Sequence, residues 1–79
     1  MMEQVLVLIT VESSMEKQVL DSITKIRNII ESHFLYGPYD IYAKAEARTT
    51  EELEHLIMDD LRKIKGITST TTCFFADAR

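Results

Sequence analysis

The apolar run EQVLVLITV, near the start of the chain, places the strongest constraint on what this sequence can fold into. In an extended strand, Val5, Val7 and Ile9 lie on one face. Leu6 and Leu8 lie on the other face, so neither side of the strand is polar. A strand of this kind is typically buried on both faces. The run therefore predicts a central strand that packs under the rest of the domain and has a second face that also needs cover.

Two later segments carry the signals of helices. Ser13 and Glu16 form a capping-box pair, which predicts a helix of about 14 residues. Thr49 and Glu52 repeat this arrangement before a second helix, which should end at Gly66 because glycine is common just after a helix. The core-facing stripe of the second helix consists of Leu53, Leu56, Ile57, Leu61 and Ile64.

Three further segments, residues 29–36, 39–47 and 67–75, are rich in β-branched and aromatic residues and predict strands. The first two should pair as a hairpin, because the intervening Gly37 and Pro38 favour a tight reversal. The order is then β-α-β-β-α-β, and right-handed crossovers place the first and third strands at the centre of the sheet. We therefore predict an α+β fold over residues 1–79: a single ferredoxin-like βαββαβ domain with an antiparallel four-stranded sheet and both helices on one face.

This topology leaves Leu6 and Leu8 on the sheet face that the helices do not cover. Monomeric proteins seldom expose an apolar patch of this kind to water. Two such sheets packed face to face would bury it. The sequence thus predicts a dimeric α/β barrel with Leu6 and Leu8 at the dimer interface.

Composition excludes several classes of function. Nine Lys and Arg residues against 13 Asp and Glu residues give a net charge of −4, which disfavours direct binding to nucleic acid phosphates. The single cysteine, Cys73, cannot form an internal disulfide or a thiolate-rich metal site. The sequence contains no apolar segment long enough to predict membrane insertion. We expect a cytoplasmic domain without a metal or cofactor, and the two histidines belong to no catalytic motif.

The predicted hairpin turn, YGPYD, is the one segment that points to a ligand. Gly37 permits close approach to the backbone, whose N–H groups can hold a carboxylate. Asp40 offers a negative charge for an ammonium group. These are the two ends of a free amino acid. On turn statistics alone, the same residues are more typical of a turn with no ligand.

Two motifs resemble one known family. GPYD at residues 37–40 leads into IYAKAEA, and KGITSTTT occupies residues 65–72. Both resemble the C-terminal effector-binding domain of the Lrp/AsnC regulators of amino-acid metabolism, known as the RAM domain, here without its helix-turn-helix. The resemblance covers nearly the whole chain. It implies a non-enzymatic amino-acid-sensing and oligomerisation domain that acts indirectly on transcription or metabolism.

The resemblance also implies partners and site residues. Family members form dimers with face-to-face sheets, often assemble into octamers, and bind a small amino-acid effector near the hairpin turn where dimers meet. By this resemblance, Gly37 and its backbone would hold the effector carboxylate, Asp40 the ammonium group, and Tyr39 would form a pocket wall. Thr70 or Thr72 would add hydroxyl groups from a facing subunit. Full-length Lrp/AsnC regulators are a further expected partner.

Three other interpretations fit the same element order. A small dimeric enzyme, such as a cofactor-free monooxygenase or isomerase, would need polar groups in a cavity between sheet and helices, and the candidates are His33, Tyr36 and Tyr42. An ACT-like domain would also bind amino acids, but it typically has a ligand glycine after the first strand, where residues 10–14 have none. A ligand-free oligomerisation module needs only the apolar sheet face.

Overall fold

A computed structural model describes residues 2–75 of the chain, and Met1 and residues 76–79 lie outside it. The predicted α+β architecture is confirmed, with both helices packed on one face of a four-stranded sheet. The elements are β1 (Glu3–Val11), α1 (Glu16–Thr24), β2 (Ile29–Phe34), β3 (Ile41–Ala47), α2 (Thr50–His55), a π-helical segment (Leu56–Leu61) and β4 (Ile67–Phe74).

The sheet has the strand order β2-β3-β1-β4, and every pairing is antiparallel. β1 and β3 are therefore central, as predicted. The predicted hairpin strands were longer than the observed ones, because β2 ends at Phe34 and β3 begins at Ile41. The chain between them forms a wider turn than two residues alone would make.

One face of the sheet and the two helices enclose the core. The side chains of Val5, Val7 and Ile9 are fully buried there. β3 contributes mainly alanines to this face, and small side chains let the helices approach the sheet closely. The helical contribution comes from Val19, Ile23, Leu53, Leu56, Ile57 and Leu61.

We call the other side of the sheet the open face, because no element among residues 2–75 covers it. Leu6 and Leu8 lie on it at the centre of the sheet and are only half-buried. Leu6 is paired with Lys44 of β3, and Leu8 with Tyr42 of β3. Paired residues on adjacent strands share a face, so the open face combines two central leucines with flanking polar and aromatic side chains.

The first helix differs from its prediction. It has nine residues rather than about 14, and its N-cap is Met15, with no side-chain cap. The predicted Ser13 capping box is wrong, because Ser14 takes a positive φ of 76° and turns the chain before the helix begins. The Glu12 N–H donates to the Gly66 carbonyl at 2.7 Å, which fixes this turn against the end of the second helical region.

The second helix follows its prediction at its start and departs from it later. Thr49 Oγ1 accepts a hydrogen bond from the Glu52 N–H at 3.1 Å, as the capping pair predicts. After His55 the backbone becomes π-helical, with the Arg62 N–H bonded to the Ile57 carbonyl at 3.2 Å. The wider π turn still keeps Leu56, Ile57 and Leu61 in the core. Among residues 2–75, no helix has the length and apolar character that a membrane span needs.

Gly66 provides a test of the packing between α1 and the start of β4. Its φ is +105°, and a Cβ placed on it would lie 2.9 Å from Val19 Cγ2. We expect Gly66→Ala to lower the free energy of unfolding by about 1–3 kcal/mol, because it combines backbone strain with overpacking. Urea unfolding measures this change.

Gly37→Ala is the matched control. Gly37 also has a positive φ, of +128°, but a Cβ there would meet no atom within 4 Å. Gly37→Ala therefore introduces backbone strain but no overpacking, so it should lower the free energy of unfolding less than Gly66→Ala does. Equal losses for the two variants would contradict the packing argument.

Candidate functional site

The turn between β2 and β3, residues 35–40, is exposed at one end of the sheet. The Leu35 N–H donates to the Asp40 carbonyl at 2.9 Å and closes the turn. Gly37 adopts the positive φ that its predicted role in the turn requires, and the space beside its Cα is open. A ligand could therefore approach the backbone here without displacing another part of the chain.

Asp40 is anchored to the central strand by two hydrogen bonds. Its N–H donates to the Ile9 carbonyl at 2.9 Å, and its Oδ2 accepts from the Val11 N–H at 2.8 Å. Within residues 2–75, Oδ1 takes part in no hydrogen bond. The half-buried carboxylate thus holds the turn against the end of β1 and has one oxygen left for another donor.

Among the aromatic and aliphatic residues around the turn, Tyr39 was predicted as a pocket wall, whereas Phe34, Leu35 and Tyr36 were not predicted as part of the ligand site. Tyr39 is half-buried, but Phe34 and Leu35 are 53% and 37% exposed, and Tyr36 is fully exposed. The sequence contains the signal for this, because three large apolar residues precede a glycine-proline turn. A cluster of this kind at an exposed turn is typical of a surface that contacts a ligand or another chain.

Thr70 and Thr72, the two threonines predicted for the ligand site, lie away from the hairpin turn of the same chain. Thr70 is paired with Ile9 and Thr72 with Val7, so both lie on the helix side of β4 and are half-buried. The turn reaches β1 from the β3 side, whereas β4 lies on the other side of β1. Gly37, Tyr39 and Asp40 lie together in the hairpin turn, and Thr70 and Thr72 lie two strands away.

The open face holds a second group of polar side chains beside Leu6 and Leu8. The Tyr42 hydroxyl donates to Glu31 Oε1 at 3.3 Å, and the His33 ring stacks on the Tyr42 ring with centroids 6.0 Å apart. Burial, together with the negative charge of Glu31 and the hydrogen bond to it, raises the pKa of Tyr42 above its usual value. The upward shift disfavours the phenolate, so the hydroxyl group remains a hydrogen-bond donor to Glu31.

The positions of His33, Tyr36 and Tyr42 do not match the enzyme interpretation, which needs them in a cavity between the sheet and the helices. His33 pairs with Tyr42, and Tyr42 pairs with Leu8, so both side chains lie on the open face, away from the helices. Tyr36 projects from the hairpin turn into solvent. The three candidates therefore do not converge in a cavity between sheet and helices, since the strand alternation directs the first two to the opposite side of the sheet.

Comparison with known proteins identifies a family whose model matches this chain. Residues 4–78 match the family model described as the Lrp/AsnC ligand binding domain. An HTH-type transcriptional regulator of Pyrococcus abyssi is 35% identical over 57 residues, which cover 72% of this chain and 38% of that protein. The chain thus spans well under two thirds of the length of the curated relatives that it matches.

Solved structures share the fold. A protein of Thermus thermophilus superposes with a TM-score of 0.91 at 22% identity, covering 98% of this chain and 96% of that one. A transcriptional regulator of Neisseria meningitidis, in complex with L-Met, superposes with a TM-score of 0.85 at 15% identity, covering 96% of this chain and 51% of that one. At these identities the likeness concerns the fold.

The bond between Asp40 and Val11 can be separated from the charge of Asp40. We expect Asp40→Ala to lower the free energy of unfolding by about 1–3 kcal/mol, because the Val11 N–H loses its acceptor. Asp40→Asn keeps an acceptor oxygen, so its free energy of unfolding should fall clearly less. Thermal unfolding of the two variants measures the difference, and an Asp40→Ala protein as stable as the parent would contradict the anchoring role.

Proposed function

Because the chain belongs to the Lrp/AsnC ligand binding domain family, we propose that it is an amino-acid-sensing and oligomerisation domain. In this proposal the hairpin turn binds a small amino acid. The open face joins two copies of the chain. The domain acts indirectly on transcription or metabolism, through the assembly it forms with itself or with full-length regulators of the family.

The observation that carries the ligand proposal is the fixed carboxylate of Asp40 beside an open glycine turn. Oδ1 of Asp40 is available to an ammonium group, while Oδ2 holds the side chain in place. The backbone around Gly37 is accessible to a carboxylate. A carboxylate that is already oriented loses little conformational freedom on binding, which favours recognition of a small zwitterion.

Thr70 and Thr72 enter this proposal through a second subunit. Since they lie two strands from the turn of their own protomer, any hydroxyl group they add must come from a neighbouring copy. Binding of the amino acid would then be linked to assembly, because the complete pocket exists only between copies. This linkage is what would let a small effector change the oligomeric state.

The relatives support an α-amino acid as the ligand class. The regulator of Neisseria meningitidis that shares this fold binds L-Met. The relatives matched by sequence are named transcriptional regulators. In this chain, Tyr39 and the exposed Tyr36 offer apolar surface beside the charged groups. An apolar side chain is therefore the first to test.

The open face supports the dimer proposal. Leu6 and Leu8 stand at its centre, on the strand that also holds the core together. Each is half-buried already, so complete cover would contribute on the order of 1 kcal/mol per leucine, with further apolar area from the rings around them. A second copy offers the same surface, and a two-fold axis lets the two faces match.

Calorimetry with L-methionine and the other common amino acids tests the ligand proposal. We expect at least one apolar amino acid to bind, and Asp40→Asn to weaken that binding about tenfold or more through loss of the charge that faces the ammonium group. Asp21→Asn, on the exposed side of α1, is the matched control and should bind as the parent does. Binding unaffected by Asp40→Asn would remove Asp40 from the site.

A dimer that persists with no heat from any amino acid would favour the ligand-free oligomerisation module. A specific observation makes that module the second candidate: Asp40 already has a structural role through Val11. The stability of Asp40→Asn, measured in parallel, shows whether lost binding reflects lost charge or lost fold.

Light scattering after gel filtration tests the dimer proposal. Leu8→Glu places a charge at the centre of the open face without touching the core, so we expect it to convert the dimer to folded monomers. Gln18→Glu, an exposed position on α1, adds the same charge elsewhere and should leave the dimer intact. A Leu8→Glu protein that elutes with the parent mass would show that this face is not the interface.

A further inference from the structure

A second groove lies at the end of the β2–β3 pair farthest from the hairpin turn. The loop that precedes β2 and the loop that follows β3 converge there and line an open groove with a volume of about 590 Å³. This volume is within the range of small-molecule sites. The residues of interest in its lining are Met2, Arg27, Ile30, Glu46, Arg48 and Glu52.

The floor of this groove is built by paired hydrogen bonds. The Glu46 N–H donates to the Asn28 carbonyl at 3.0 Å, and the Asn28 side chain donates to the Glu46 carbonyl at 2.8 Å. The Glu46 side chain is held in turn by Gln4, whose Nε2 donates to Oε1 at 2.8 Å. The two loops that carry Arg27 and Arg48 are thereby tied to each other.

The groove carries charges of both signs. Arg27 and Arg48 supply two positive charges, and Glu46 and Glu52 supply two negative charges. In the part of the chain that the structure describes, none of these four forms an ion pair, since the pair found there joins His55 to Asp59. A polyanion would be repelled by the glutamates, and a cation by the arginines. A ligand with one charge of each sign can engage both sets.

An apolar surface borders these charges. The β2–β3 register shifts between Ile29 and Glu31, so Ile30 lies in a bulge and is 49% exposed. Bulges redirect a side chain out of its regular position, and this one turns an isoleucine toward the groove. Met2 is 46% exposed beside it. Two large apolar side chains exposed to water next to charges of both signs suit a ligand that has an apolar body.

We propose that this groove is a second site, for a zwitterionic amino acid with an apolar side chain. Arg27 and Arg48 hold the carboxylate, because guanidinium groups match carboxylate geometry. Glu52 receives the ammonium group, and Ile30 and Met2 cover the side chain. The site needs neither the hairpin turn nor a second copy of the chain, so it does not depend on the function proposed above.

The test is a titration of isotope-labelled protein with L-methionine, followed by the backbone amide signals in nuclear magnetic resonance spectra. We expect saturable shifts at Arg27, Ile30 and Arg48, retained in Asp40→Asn. Arg48→Gln should weaken these shifts about tenfold, since one guanidinium is lost. Arg62→Gln changes the same charge outside the groove and should bind as the parent does. Two analogues of methionine, one without its carboxylate and one without its ammonium group, should both bind at least tenfold more weakly.

Different failures are distinguishable. Shifts confined to residues 35–40 would overturn the second site and leave the hairpin proposal standing. Groove shifts that Arg48→Gln leaves unchanged would overturn the role of the arginine. Equal binding of methionine and its ammonium-free analogue would overturn the proposal that the groove selects a zwitterion. The glutamates would then have no role in binding. Thermal unfolding of Arg48→Gln excludes loss of fold as the cause of weaker shifts.

Discussion

The structure depends on β1, which is paired on both sides and apolar on both faces. Val5, Val7 and Ile9 fill the core under the helices, and their burial contributes much of the hydrophobic stabilisation that so small a domain can obtain. The same backbone carries Leu6 and Leu8 to the opposite side. A strand cannot turn one row of side chains inward without turning the next row outward. The open face is thus a direct consequence of the strand that makes the core.

β1 also organises the candidate site. Asp40 is bonded to Ile9 and Val11 at the end of the strand, so the hairpin turn takes its position from the centre of the sheet. Thr70 approaches the same part of β1 from the other side. In the proposed function, one strand therefore connects the interface between copies to the ligand-binding turn. Occupancy of the turn and pairing of the sheets could influence each other through it, because both act on the same rigid element.

The strand order and the buried faces were predictable because they follow from residue alternation and from the handedness of crossovers, which are local rules with few exceptions. Local details that depend on tertiary contacts were not predictable from the sequence. Ser13 has a good capping sequence, yet Ser14 turns the chain, next to the bond that joins Glu12 to Gly66 of a distant segment. The π-helical turn leaves the apolar spacing almost unchanged, so no sequence pattern signals it. The side of β4 on which Thr70 lies depends on its register with β1.

The central claim is that the open face is covered by another copy of the chain. Sedimentation equilibrium of the unmodified protein at low micromolar concentration tests it most directly, because the measured mass needs no assumption about shape. A mass of at least twice the 9.1 kDa of one chain is the predicted result. A mass of 9.1 kDa for a fully folded sample would contradict the account, since Leu6 and Leu8 would then remain in contact with water.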